Sequence, residues 1–425
     1  MEGHDIENPY IPLVTLVEKA LEGLPLSSDS CCIYRVPERL RCVKEKAYTP
    51  QVVSIGPIHH GNKGLEDMEE HKTRYLQYFL RRSKVSLEDY VKKIKGKEAE
   101  LRGCYAHTIE LCTDKFVRII LVDAAFIIEL LLRYCSIIQP DSNDRIFHKP
   151  CLIKDIAPDM LLLENQLPFF ILKDLFATGE VPTTNLSVLE LSYRFCKQST
   201  SLHVDKDKLK SILCFDPCFT VKHFVDLIGT LHLPAAVKDS ENRGRLESLA
   251  IPSMTKLHQA GVKFEVSSSK NLFDICFQDG TLEIPKLEID DCTEQELRNL
   301  IAFEQCHFDR NYFSDYISLM DDLVNTSHDV ELLVKNGIVE NLLGDNNEVS
   351  TLINSLGNGV LVDKEEFYFA TLSKALNKYY GKSWNKSKAE LRQKYFETPW
   401  KTISVIAATC IIILTLIQTV WTVAY

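Results

Sequence analysis

Four residues of this 425-residue chain, His59, His60, Glu70 and His71, form its best polar constellation. Imidazoles and a carboxylate can bind zinc or exchange protons if the loop carrying the first pair folds onto the helix carrying the second. The spacing does not enforce this. Neighbouring histidines point in different directions, and Glu70-His71 lacks the i,i+4 geometry of a His-Glu-X-X-His helix. The commoner arrangement is structural, with His59 or His60 bonding a turn carbonyl and Glu70 pairing with Arg74 one turn on. A membrane-bound hydrolase using the four residues is the alternative to the main reading developed below.

Other candidates are thinner. Cys214 and Cys218, followed by His223 and His232, are the chain's Cys/His grouping nearest to zinc spacing, but Phe215, Phe219 and Phe224 interleave with them as in ordinary packing. Gly381-Lys382-Ser383 resembles the end of a phosphate-binding loop, yet Leu376 stands where the upstream glycine is required. Ser54 lies in Val-Ser-Ile-Gly, not in the Gly-X-Ser-X-Gly elbow of a hydrolase, so its hydroxyl is expected to bond backbone. Glu164-Asn165-Gln166 sits between apolar runs; such a cluster either marks a ligand cleft or, more often, satisfies backbone at a helix end before Pro168. No catalytic residue, metal or cofactor is therefore assigned.

The elements that would position these residues are mostly helical. Residues 1–30 read as an arm with a short amphipathic helix (Leu13, Leu16, Val17, Ala20, Leu21), and Cys31 to Pro57 reads as extended chain. Apolar periodicity then predicts helices over Leu65–Arg82, Leu87–Cys112, Lys115–Ile138, Asp159–Leu167, Leu186–Cys196, Phe219–His232, Asp329–Lys335, Val349–Leu356 and Lys364–Tyr380. Thr293 with Glu296 predicts a capping box that starts another. Between 262 and 289 the period changes to two, and Gln278-Asp279-Gly280 predicts a β-hairpin. The fold class is mainly α: a multi-helix body over 31–397 with a small hairpin element.

A basic flank (398–402) leads to a final apolar segment, Ile403 to Ala424, which has no charged side chain. At roughly 1.5 Å per residue its 22 positions reach about 33 Å, enough for a hydrocarbon core about 30 Å thick. Ile403, Ile406, Ile411, Ile412, Ile413, Leu414, Leu416 and Trp421 would face acyl chains and their boundary. Phe116 to Ile138 is also apolar but carries Arg118, Asp123, Glu129 and Arg133. At roughly 2.5–3.5 kcal/mol each near a bilayer centre, those charges exclude insertion and predict a soluble core helix.

Lys382, Lys386, Lys388, Arg392, Lys394 and Lys401 precede the span against Glu390 and Glu397, so the body should face the cytosol in a tail-anchored arrangement. Arg392, Lys394 and Lys401 form the flank expected to meet anionic headgroups. Residues Met1 to Asn8 lack the basic and apolar regions of a signal peptide. Plasma membrane is favoured over endomembrane. The net charge of -10 argues against nucleic acid. Fourteen cysteines without regular spacing suit a reducing compartment, not a disulfide scaffold. The expected partners are the lipid bilayer and an unidentified protein.

Several segments together carry a resemblance: Ile33-Tyr34-Arg35-Val36-Pro37, Val53-Ser54-Ile55-Gly56-Pro57, His59-His60-Gly61, Met68-Glu69-Glu70-His71-Lys72, Asp159-Met160 through Leu167-Pro168-Phe169-Phe170, and Gly337-Ile338-Val339-Glu340-Asn341. The chain resembles a plant family catalogued as domain of unknown function 247, from roughly Cys31 to Tyr425. The resemblance implies a mostly helical, membrane-anchored protein. Some relatives are associated with pollen and stigma self-recognition, which implies binding, in cell-cell or self-recognition signalling, and not catalysis. It supplies no catalytic residue.

Overall fold

The structure is a computed structural model, and it describes residues 10–22, 30–148, 150–179, 186–202, 209, 221–234, 242–247, 251–308, 310–382 and 399–424. Among them are eighteen α-helices and five short strands, so the mainly α class holds. The described residues group into two compact units, one from Met1–Arg35 and Pro50–Leu191, the other from Val36–Thr49 and Ser192–Tyr425.

The first unit contains α1 (Ile11–Glu22), α3 (Glu66–Ser83), α4 (Leu87–Gly96), α5 (Glu98–Gly103), α6 (Thr113–Tyr134), α7 (Arg145–His148), α8 (Pro150–Met160) and α9 (Phe169–Thr178), while α10 (Val188–Ser199) continues into the second unit. The run expected as a soluble core helix is α6, buried on almost every side from Phe116 to Arg133. It packs most extensively against α3, whose apolar stripe buries Met68, Tyr75 and Phe79. Burial of each such side chain contributes about 1.5–3 kcal/mol, so the α3–α6 seam stabilises the unit.

Two helix expectations are corrected. Leu87–Cys112 is not one helix: Gly96 and Lys97 break it, and helix ends at Gly103, where a second glycine lowers propensity. The expected helix Asp159–Leu167 is not formed either: its first two residues end α8 at Met160, and the following residues turn to present polar side chains inward. In α1, Leu13, Leu16 and Val17 are exposed.

The second unit holds α2 (Glu38–Arg41), α11 (Phe224–His232), α12 (Met254–Gln259), β1 (Lys263–Val266), β2 (Cys276–Gln278), β3 (Thr281–Ile284), β4 (Leu287–Ile289), α13 (Thr293–His307), α14 (Tyr312–Leu323), α15 (Ser327–Lys335), β5 (Val339–Asn341), α16 (Asn346–Leu356), α17 (Ala370–Gly381) and α18 (Pro399–Ala424). β2 and β3 form the expected hairpin, pairing Phe277 with Leu282. Asp279 and Gly280 both take positive φ, 50° and 81°, as a tight two-residue turn requires. β1 joins β3 in parallel, and β4 pairs in parallel with β5 across three intervening helices.

The capping box at Thr293 is a further correction. Asp290 Oδ1 instead accepts from the Cys292 and Thr293 amides at 3.0 Å, and Glu296 turns into the core. The box occurs at Thr326 with Asp329, at the start of α15.

Candidate functional site

Residues 51–56 run through the first unit as irregular backbone with no sheet partner, so their buried amides and carbonyls must be satisfied by side chains. The partners come from the motif segments and from Asp123 in α6. Asp159, at the end of α8, accepts from the Gln51, Val52 and Val53 amides at 3.0, 2.6 and 2.8 Å. Asn165 accepts from Ile55 N at 2.7 Å and donates to Val53 O and Asp159 O at 2.9 Å each. Gln166 donates to Met160 O and Leu162 O, tying off the end of α8.

Lys72 and Asp123 complete the clasp. Both side chains are buried, at 0 % and 1 % exposure, and lie 2.6 Å apart. Lys72 Nζ also donates to Ser54 O at 2.8 Å, and Asp123 Oδ2 accepts from Gly56 N at 2.7 Å. Burial pushes the Asp123 carboxyl up to about 6 against the pull of Lys72, while the Asp123 and Glu69 carboxylates hold Lys72 above its usual value despite its own burial. Gly56 has φ of 74°, and a Cβ there would lie 2.7 Å from Gln166 O, so the motif glycine is required twice over.

Of the four catalytic candidates, His59 and Glu70 have separate partners. His59 is buried, with Nε2 3.1 Å from Glu164 Oε2 and Nδ1 3.2 Å from Asn62 Nδ2; its partner is thus a carboxylate, not the expected turn carbonyl. Glu70 points outward to Arg74 at 2.5 Å, which holds its carboxyl below the usual range. His60 and His71 are half-buried, and burial lowers the pKa of each imidazole. Among the described residues no group of three or more His, Cys, Asp or Glu is placed to hold a metal.

The remaining candidates resolve as follows. His223 caps α11, accepting from Asp226 N at 3.2 Å, and His232 bonds the Ile228 carbonyl of the same helix at 2.8 Å. Cys214, Cys218, Phe215 and Phe219 lie outside the described residues, as do Ser383, Arg392 and Lys394. Lys382 lies 5.8 Å from the Tyr379 ring centre. The Ser54 hydroxyl is buried without a hydrogen-bond partner among the described residues, which corrects the expected backbone bond; the Ser54 carbonyl, not the hydroxyl, is what Lys72 holds.

The buried charges in α6 are paired too. Glu129 meets Arg82 and Arg133, and Arg133 reaches Asp144 at 3.1 Å while lying 4.6 Å over Tyr75. This network joins α3, α6 and the start of α7. Asp123, Glu129 and Arg133 registered in the sequence only as obstacles to insertion, and their partners are too distant along the chain to be read from it.

Buried carboxylates also occur in the second unit. Glu304 accepts from the Phe313 and Ser314 amides and the Ser314 hydroxyl, each at 2.8 Å, yet burial pushes it up to about 7. Glu296, held by Thr200 and Ser201, is likewise pushed to about 7, and Asp315 to about 8. A carboxyl raised on folding contributes stability fully below its unfolded pKa of about 4 and loses it as pH rises through the folded value. The thermal midpoint should therefore fall between about pH 4.5 and pH 8, and Glu304→Gln should make that fall shallower. A midpoint that is flat or rises over this window in circular dichroism melts contradicts the assignment.

Ser54, Gly56, Lys72, Asp159, Asn165 and Gln166, all in segments that carry the family resemblance, thus form one buried clasp together with Asp123 of α6. Residues 33–414 match the family described as plant protein of unknown function, DUF247. The chain belongs to that family. Among DUF247 relatives, UPF0481 protein At3g47200 of Arabidopsis thaliana is 32 % identical over 416 residues, covering 92 % of this chain and 86 % of that protein. Putative UPF0481 protein At3g02645, also of Arabidopsis thaliana, is 23 % identical over 495 residues, covering 95 % and 92 %. No solved structure matches.

Proposed function

We propose that this DUF247 protein is a non-enzymatic recognition module, tethered to a membrane by α18 with its body on the cytosolic side. The observation that carries the reading is the window Ile403–Trp421, which is 19 residues long with a mean hydropathy of 2.4 and is 0 % buried. A soluble core helix of that composition would be covered by protein. Lipid is the solvent that covers all sides of such a helix, since every backbone group is bonded within it. Thr409, Thr415 and Thr419 fit this, each hydroxyl donating to the carbonyl four residues back.

Binding is favoured over catalysis by how the motif residues spend their hydrogen bonds. Lys72, Asp123, Asp159, Asn165 and Gln166 hold backbone and one another in the interior, leaving the exterior for contacts with a protein partner. Affinity capture from intact membranes tests the reading, with reproducible enrichment of a partner as the expected result and recovery of only the bulk membrane proteome as the contrary one. The hydrolase alternative predicts bound metal or a labelled nucleophile that disappears when His59, His60, Glu70 and His71 are replaced by alanine.

Orientation follows from the basic flank that precedes α18, and a plasma-membrane location goes with a role in recognition between cells. Asn325-Thr326-Ser327 is a glycosylation sequon, and Asn325 is exposed beside α14. With the body in the cytosol, Asn325 should carry no glycan and endoglycosidase should leave the electrophoretic mobility unchanged. A mobility shift abolished by Asn325→Gln would reverse the orientation.

A further inference from the structure

The second unit contains a cleft that tethering does not use, and all of its described lining residues belong to that unit. Its volume of about 460 Å³ lies within the roughly 300–1,000 Å³ range of small-molecule sites. Three stretches of chain form it: Lys197 in the last turn of α10 with the residues just after that helix, 267–270 following β1, and Lys286 with Glu288 at the start of β4. Leu202 is the one apolar residue among the described lining residues, so the cleft suits a hydrophilic guest. A nucleotide base or an acyl chain would find no aromatic or aliphatic wall there.

Its charges are unbalanced, with Lys197, Lys270 and Lys286 against Glu288 among the described lining residues. Lys286 is shared: it lies 3.3 Å from Glu288 and also pairs with Glu340, outside the cleft. Lys197 and Lys270 are exposed, and neither has a hydrogen bond or ion pair among the described residues. Uncharged donors stand beside them. Ser268 has neither its amide nor its hydroxyl bonded among the described residues, and the Ser267 hydroxyl only accepts, from Ser269 N at 3.2 Å. The hydroxyls of Ser269, Thr200 and Ser201 are spent on the Asp274 and Glu296 carboxylates. Point-charge ammonium groups with scattered hydroxyl and amide donors fit a tetrahedral phosphoryl group, whose oxygens accept from several directions. A planar carboxylate is better matched by the fork of an arginine, and none is among the described lining residues. Two unpaired ammonium groups from separate stretches of chain call for more than one phosphoryl group. We propose that this cleft binds a small polyol carrying two or more phosphoryl groups, one held by Lys197 and another by Lys270 and Ser268, whether free in solution or as the headgroup of a phosphorylated lipid.

The full-length protein in nonionic detergent is titrated calorimetrically with inositol trisphosphate, and in parallel with unphosphorylated inositol and the tricarboxylate citrate. Physiological ionic strength screens distant charges. The expected result is saturable binding of the trisphosphate, far weaker binding of citrate and none of inositol. Lys197→Gln combined with Lys270→Gln should weaken the trisphosphate about tenfold or more, as befits lost charge-assisted hydrogen bonds. Lys263→Gln with Lys378→Gln removes the same charge from exposed positions outside the lining and should leave the affinity unchanged. Glu288→Gln removes the carboxylate of the lining and should tighten binding about threefold. A second arm compares nanodiscs in which one phosphatidylcholine in twenty is replaced by phosphatidylinositol bisphosphate with discs of matched charge made with phosphatidylserine. Weaker trisphosphate binding in the bisphosphate discs identifies the lipid headgroup as the occupant, and equal binding identifies the free ligand.

Absence of saturable trisphosphate binding to the unmodified protein overturns the proposal, as does equal affinity for citrate. Binding that is indifferent to the Lys197 and Lys270 replacements, or that weakens as much with the Lys263 and Lys378 replacements, places the anion elsewhere and overturns it too. Should the double lysine variant not fold, the direction of the Glu288→Gln effect decides, since damage to the protein would weaken binding and not tighten it. The detergent titration is independent of tethering, because none of its readouts depends on whether α18 crosses a bilayer.

Discussion

Asp123→Ala should destabilise the protein by about 3 kcal/mol, because it leaves the buried Lys72 ammonium with only the partly exposed Glu69 carboxylate as counter-charge. It also strips the Gly56 amide of its acceptor, which adds the cost of an unsatisfied buried donor. The measurement is urea unfolding followed by circular dichroism, with Glu70→Ala as the comparison. Glu70 and Arg74 are solvent-exposed, and breaking an exposed i,i+4 pair should leave the unfolding midpoint almost unchanged. Replacing both partners, as Lys72→Met with Asp123→Leu, should recover part of the loss, since no charge is then left alone. If Asp123→Ala unfolds at the same urea concentration as the unmodified chain, the clasp does not hold residues 51–56, and its motif residues need another explanation.

A still larger effect is expected in α18. Ile411→Arg combined with Leu414→Arg places two charges near the middle of the span, at roughly 2.5–3.5 kcal/mol each and so about 5–7 kcal/mol together. The double variant should move from the membrane pellet to the soluble fraction on ultracentrifugation. Ile411→Leu with Leu414→Ile, which preserves hydrophobicity, should stay in the pellet. Equal sedimentation of both variants would mean that something other than the hydrophobicity of α18 holds the protein.

The parts of this fold written in local pattern were legible. The apolar period over Leu65–Arg82 became α3 at Glu66–Ser83, and the positive-φ demand at Asp279-Gly280 became a tight hairpin. Elements set by distant partners were not. Nothing near Val262–Val266 specifies a parallel neighbour, and Glu296 looked like a capping residue because Thr293 precedes it by three, although its hydrogen bonds go to Thr200 and Ser201 almost a hundred positions earlier.

The same division applies to the site. The motif segments were identifiable, and the suggestion that Asn165 and Gln166 serve backbone matches their geometry. Their common target, the chain from Gln51 to Gly56, was not visible, because Lys72 and Asp123 are 51 residues apart and meet only once α3 lies on α6. Adjacent histidines invite a metal reading from sequence. In the folded unit His59 reaches Glu164 while Glu70 faces solvent, so proximity in the chain did not become proximity of function.

Alkaline carbonate extraction of membranes carrying the unmodified full-length protein addresses the tether most directly. High pH strips proteins held by surface charge or by other proteins and leaves bilayer-spanning ones in place. Retention in the carbonate pellet, with release only by detergent, is the predicted result. Recovery of the protein in the carbonate supernatant would contradict a membrane-embedded α18 and, with it, the tethered recognition role.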